Sequence, residues 1–287
     1  MKDILTSPRI ENMKRKRRKK RLRLFILLFV LFIVLVGALA FFSGNHRITI
    51  NKIVVTGTRI INVSDVEWSV QDIISGKYLR LFTKSNIFIY PRSKIYEKLL
   101  IDFPRIDSLS INQEGLNTLN INITERAGAY LYCGDTIPEV ESEIGENCYF
   151  INNDGYIFDK APYFSGNVYF KYYIALTGDN TNPLGQQALS PERFHEVARF
   201  IDGVVALGFK PTHIIMSPDV NTLYLHHGDI DTSPQIIFKD TNNLHDILEN
   251  LSLSMSKREF ASEINSKYTT LLYIDLRFDD KVLYKFQ

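Results

Sequence analysis

An uncharged stretch of nineteen residues, Leu24–Phe42, constrains this chain more than any other feature, because sixteen of the nineteen are Leu, Ile, Val or Phe. A helix of that length spans roughly 28 Å at about 1.5 Å per residue, close to the ~30 Å hydrocarbon core of a bilayer. The run Lys14-Arg15-Lys16-Arg17-Arg18-Lys19-Lys20-Arg21, followed by Arg23, places nine basic residues on its N-terminal flank. Such a flank holds its own side of a span in the cytoplasm. The sequence thus predicts a cytoplasmic tail over 1–23, a transmembrane helix over 24–42, and an external remainder. A cleaved signal peptide is the competing reading, and Ala38-Leu39-Ala40 resembles a cleavage site. The apolar stretch is nevertheless longer than the usual 7–15-residue signal core, and the charged leader is long. A nucleic-acid-binding tail is the other reading of the basic run. Beside a span, the run instead sets orientation and meets anionic lipid head groups, so no nucleic-acid partner is expected.

The formal net charge of +2 conceals two unlike halves: residues 1–23 carry eleven Lys/Arg against two Asp/Glu, and the rest is net acidic. About 243 external residues are enough for one or two domains with their own cores. The chain's 15 Tyr and 19 Phe favour folded, β-rich structure over a disordered stalk. The only cysteines are Cys133 and Cys148, both external. An oxidising compartment permits a bridge between them, and two buried free thiols are the alternative. No further Cys or His lies at ligand spacing, so no metal site is expected.

Periodicity divides the external chain near residue 126. Residues 48–56 read as a strand ended by Gly57, and Ser64-Asp65-Val66-Glu67 fits a capping box that starts a helix with Val66, Val70 and Ile73/Ile74 inward. Ser93–Phe103 is a second amphipathic pattern, through Ile95, Leu99 and Leu100, stopped by Pro104. Strands Ile106–Gln113 and Asn117–Thr124 follow, the second alternating Leu119, Ile121 and Ile123 with Asn120 and Asn122. The order β-α-α-β-β predicts a compact α+β domain over 48–126. Beyond it, 127–287 reads as a β-rich domain with two helices. Tyr149–Ile151 and Tyr156–Phe158 flank an Asn152–Gly155 turn. Ser190-Pro191-Glu192 opens a helix with Phe194, Val197, Ala198, Ile201, Val204 and Val205 at helical spacing. Strands at about 212–216, 221–226 and 234–238, a helix at about 242–255, and strands Tyr268–Phe278 and Lys281–Tyr284 complete the pattern.

Catalytic constellations are sparse. His226-His227 is the only histidine pair, and neighbours on a strand point to opposite faces. Gly178-Asp179-Asn180 and Asp229-Ile230-Asp231 read as turns, and no nucleophile elbow, zinc-protease helix or phosphate loop occurs. The expectation is a non-enzymatic protein without a cofactor.

Several stretches carry a family resemblance. Ile53-Val54-Val55-Thr56-Gly57, Phe103-Pro104-Arg105-Ile106 and Leu119–Ala129 with its Glu125-Arg126 junction are similar to a POTRA domain of the FtsQ/DivIB cell-division family. Phe150–Phe158 around Asp154-Gly155 resembles the hairpin that opens that family's β domain, and Tyr273-Ile274-Asp275-Leu276-Arg277-Phe278 resembles its C-terminal strand. Asn112–Leu116 departs from the family, which usually has a basic residue and a proline in that turn. The resemblance implies a bitopic scaffold in the bacterial cytoplasmic (inner) membrane at the division septum, where it helps coordinate septal cell-wall synthesis. It also implies binding of FtsB-like and FtsL-like single-span partners by strand addition at a C-terminal edge. By position it implies Arg277 and Phe278 as partner contacts, and edge geometry adds Val282 and Tyr284. Phe278 as a core aromatic, and Arg277 in a salt bridge with Asp275 or Asp279, are the structural alternatives. A POTRA-bearing accessory of polypeptide export or envelope assembly is the rival function.

Overall fold

The computed structural model describes residues 8–138, 147–164, 168–178, 182–226, 233–278 and 281–287. A long first helix, α1 (Pro8–Ser43), contains one segment, Arg17–Ser43, long and apolar enough to cross a membrane. An α+β region follows. The chain forms two compact units: one runs to Asp102 and includes Ser108–Thr124, and the other comprises Phe103–Asp107 and Glu125–Gln287.

In the first unit α1 is followed by β1 (Lys52–Thr56), α2 (Val63–Ile74), the short strands β2 (Lys77–Tyr78) and β3 (Phe82–Thr83), α3 (Arg92–Asp102), β4 (Ile106–Glu114) and β5 (Thr118–Glu125). The sheet order is β1-β5-β4, with β1 parallel to β5. Alternation along β5 buries Leu119, Ile121 and Ile123, and the same unit buries Val66, Val70 and Ile74 of α2 and Ile95 and Leu99 of α3. The cap of α2 differs from the expected box. Asn62 is the N-cap, its Oδ1 accepting from the Ser64 N–H at 3.1 Å, so the helix begins one residue before Ser64. Asn62 supplies the same acceptor chemistry two positions earlier. The β2–β3 hairpin lies between the two helices and was not expected, since two-residue strands carry no alternation to read.

The second unit is built on β6 (Tyr130–Tyr132), β7 (Tyr149–Ile151), β8 (Ile157–Lys160), β9 (Lys171–Ile174), α4 (Pro191–Ala206), β10 (Pro211–Met216), β11 (Val220–Leu225), β12 (Gln235–Lys239), α5 (Leu244–Ser256), α6 (Arg258–Ser266), β13 (Leu271–Phe278) and β14 (Lys281–Phe286). Nine strands form one sheet in the order β14-β13-β12-β11-β10-β9-β6-β7-β8. Parallel neighbours need a crossover: α4 joins β9 to β10, α5–α6 join β12 to β13, and the chain from β6 to its parallel neighbour β9 passes through β7 and β8. Phe194, Val197, Phe200, Ile201 and Val204 of α4 pack with Leu244, Ile247 and Leu251 of α5 onto Ile214, Leu223, Ile236, Phe238 and Ile274. Phe200 replaces the expected Val205, which is exposed. The described residues hold three helices rather than two: α6 is nine residues long and follows α5 after Lys257 alone, so its short stripe of Phe260, Ala261 and Ile264 does not separate from the preceding helix. Segment Phe103–Asp107 joins this unit through arginines. Arg126 donates its N–H to the Arg105 carbonyl at 2.8 Å and its Nη1 pairs with Asp107 at 2.9 Å, while Arg105 Nε donates to Asp159 at 2.6 Å.

Candidate functional site

Among the described residues the last strand, β14, is an end strand of the nine-stranded sheet and pairs on one side only, with β13. Between Leu271 and Tyr273 β13 advances two residues against one on β14, and between Asp275 and Phe278 it advances three against two. The irregularities therefore lie on β13, and β14 stays a regular strand. The Gln287 N–H donates inward to the Thr270 carbonyl at 2.8 Å. Along a regular antiparallel strand the backbone groups alternate sides, so Leu283 and Lys285 turn theirs toward β13, and Val282, Tyr284 and Phe286 turn theirs outward.

Side chains follow the opposite division. Val282 and Phe286 pack against the core. Tyr284 meets Phe260 of α6 edge-on at 5.1 Å, and its hydroxyl donates to Glu263 Oε2 at 2.8 Å. Glu263 also pairs with Lys267 at 2.9 Å, and these two bonds hold its carboxyl below the usual range, Lys267 contributing most. Glu263 in turn raises the Tyr284 phenol. On the other face, Leu283 and Phe278 expose 45% and 49% of their surfaces. Lys281 and Lys285 are exposed along the same strand and oppose indiscriminate edge pairing.

Arg277 is engaged. Its N–H and Nε donate to Asp275 Oδ1 at 3.0 and 2.9 Å, and its Nη2 donates to Oδ2 at 2.6 Å. Asp275 is buried, and the Arg277 fork holds its carboxyl below the ordinary range against the opposing effect of burial. The arginine thus fixes the end of β13, while part of its side chain stays accessible. Asp279, the other expected partner, lies outside the described residues. The four predicted contact residues fall on one hairpin: Phe278 faces solvent, Arg277 is locked to Asp275, and Val282 and Tyr284 offer main chain rather than free side chains. Phe260 and Glu263 of α6, which hold Tyr284, and Lys267 just past that helix, which holds Glu263, were not anticipated; they lie 17–24 residues from Tyr284 and carry no local signal.

Cys133 and Cys148 form a disulfide that extends the β6–β7 pairing beyond Tyr132 and Tyr149. Most of the loop it closes, 139–146, lies outside the described residues, as do His227, Asp179, Asn180, Asp229 and Asp231. Among the described residues no group of three or more His, Cys, Asp or Glu is placed to hold a metal ion. The arrangement offers a main-chain hydrogen-bonding edge, flanked by two exposed apolar side chains and two lysines. No protein-family model matches the chain, and no curated protein gives a match.

Proposed function

We propose that this chain is a bitopic, non-enzymatic scaffold of the FtsQ/DivIB type, which binds FtsB-like and FtsL-like single-span partners during septal wall synthesis. In this reading the first unit is a POTRA domain, the basic tail is cytoplasmic, and the second unit is the partner-binding β domain outside the inner membrane. One observation carries it. The family-like strand Tyr273–Phe278 leads directly into β14, a regular end strand whose outward backbone groups are open to an added strand. The exposed Leu283 and Phe278 would meet the partner's side chains. Removing 277–287 would also strip Val282 and Phe286 from the core, so point variants give the cleaner test. Leu283→Glu and Phe278→Ala in the full chain are expected to reduce co-purification of an FtsB-like partner from membranes at least tenfold while leaving the fold intact. Unchanged capture by both would refute the contact.

The groove between β1 and α2, lined by Lys52, Ile53, Glu67, Trp68 and Gln71, supports a second reading as an accessory of polypeptide export or envelope assembly, because β1 is also an end strand. Location separates the two. A fluorescent fusion gathers at midcell if the chain is a division scaffold and spreads evenly around the envelope if it serves export. Release of muropeptides by the purified external domains would overturn both in favour of a hydrolase.

A further inference from the structure

The β2–β3 hairpin carries a feature that the scaffold reading does not use. It is tied to the end of α1: the Ser43 hydroxyl accepts the Thr83 N–H at 3.1 Å, and Asn86 Nδ2 donates to the Ser43 carbonyl at 2.9 Å. β3 is the strand packed on α1. Val36, Ala40 and Ser43 form one face of the helix, and all three are partly or fully covered. Ile33, one turn earlier on the same face, and Leu35 and Leu39 beside it stay more than half exposed, so the cover stops at Val36. Cover thus extends over the last two turns of the apolar helix, about 10 Å along its axis.

The tip of the hairpin has unusual chemistry for a soluble turn. The Leu81 N–H donates to the Tyr78 carbonyl at 2.9 Å, and the two residues between, Leu79 and Arg80, have φ of 48° and 60°. Turns of this hand normally use Asn and Gly, because a side chain is strained there. Leu79 is 87% exposed, and Leu81 and Phe88 are exposed as well. From Ile73 to Tyr96 the chain has no Asp or Glu but has Lys77, Arg80, Lys84, Arg92 and Lys94. Exposed leucines interleaved with cations and bordered by Tyr78, Phe82 and Tyr90 match the boundary between head groups and acyl chains.

We propose that this hairpin is a second membrane contact. Leu79 and Leu81 enter the outer leaflet beside the emerging α1, and Lys77, Arg80 and Lys84 reach up to lipid phosphates. The proposal rests on the reading of α1 as a membrane span. Its consequence is that the first unit is held against the bilayer by two attachments rather than pivoting on one.

The test uses the full chain in nanodiscs of equal parts phosphatidylcholine and phosphatidylglycerol, with and without bromine on the acyl chains. The single tryptophan, Trp68, is first removed by Trp68→Phe. Leu79→Trp and, separately, Val34→Trp then report the hairpin and the span. Both emissions are expected to fall to about half in brominated lipid. Adding Arg80→Glu and Lys77→Glu is expected to restore emission at position 79 alone. Quenching at 34 without quenching at 79, in a chain with unchanged circular dichroism, overturns the hairpin contact. Absence of quenching at 34, whatever happens at 79, overturns the span on which the proposal rests.

Discussion

Removing the guanidinium of Arg277 tests whether the candidate edge is held in place by the buried Asp275. Arg277→Ala leaves one backbone N–H on the carboxylate and deletes two charge-assisted bonds, at 2.9 and 2.6 Å. Bonds of that kind contribute about 1.5–3 kcal/mol each, and breaking a fully buried pair costs about 3–5 kcal/mol. The arginine side chain is 39% exposed, so solvent screens part of this and about 2 kcal/mol remains. Asp275→Asn keeps the shape and removes the charge. In a double-mutant cycle the two changes should couple by about 1.5 kcal/mol. The Asp275 carboxyl is depressed below 3.8 in the folded protein, so its contribution is complete above that pH and is lost as pH falls through the folded value. The cost of Arg277→Ala should therefore be full at neutral pH and shrink in acid. Two units make global unfolding a poor readout, and Trp68 sits in the first of them. Amide hydrogen exchange along β13 and β14 reports the right region. A change in opening free energy below about 0.5 kcal/mol, or a cost that persists once Asp275 is protonated, would refute the argument.

Two further outcomes follow from the second unit. Replacing both Cys133 and Cys148 by Ala should destabilise it by about 3 kcal/mol, from the separation of 15 residues, and mass mapping without reductant should find the two joined in the parent chain. His213 is buried, stacked on Tyr224 at 4.3 Å and opposite Lys171 in the neighbouring strand. Burial first, and Lys171 second, lower it from 6.5 to about 4. The unfolded chain thus binds the proton more readily, and stability should rise by roughly 3 kcal/mol from pH 4 to pH 6.5 and then level off. His213→Phe should flatten that rise in urea titrations followed by exchange of β10 amides; an unaltered slope would assign it to other groups.

Much of the fold was legible because strong periodicity needs no tertiary information. The alternation of Leu119, Ile121 and Ile123 gave β5 and its inner face, and Ser190-Pro191 gave the start of α4, where Ser190 Oγ accepts from the Arg193 N–H at 3.3 Å. The elements that escaped are those whose stability comes from neighbours. β6 and β9, three and four residues long, are strands because each lies parallel to the other inside a sheet. α6 is only nine residues long, and its stripe of Phe260, Ala261 and Ile264 is too short to stand out beside α5 in the sequence. Gly203 shows the same dependence. A Cβ there would lie 2.2 Å from Leu248, so the close approach of α4 and α5 is written in a residue with no periodic signature.

The candidate site divides along the same physical line. Sequence marks β14 as a strand, but an edge is defined by the absence of a neighbour, which only the order of all nine strands decides. Sequence also offers Asp275, beside Asp279, as a salt-bridge partner for Arg277, and the pair with Asp275, two residues away on one face, forms because that contact is local. It cannot pair Tyr284 with Glu263, which lie 21 residues apart and meet only because α6 folds back beneath the last strand. This distant support gives the edge its direction. With Val282 and Phe286 packed on the core and the more exposed Tyr284 tied to Phe260 and Glu263, the strand is held against rolling, and their backbone groups stay turned outward. A strand free to rotate would present a mixture of registers to a partner. Pinning three alternate residues leaves one, so an incoming strand would meet donors and acceptors already set out at fixed spacing.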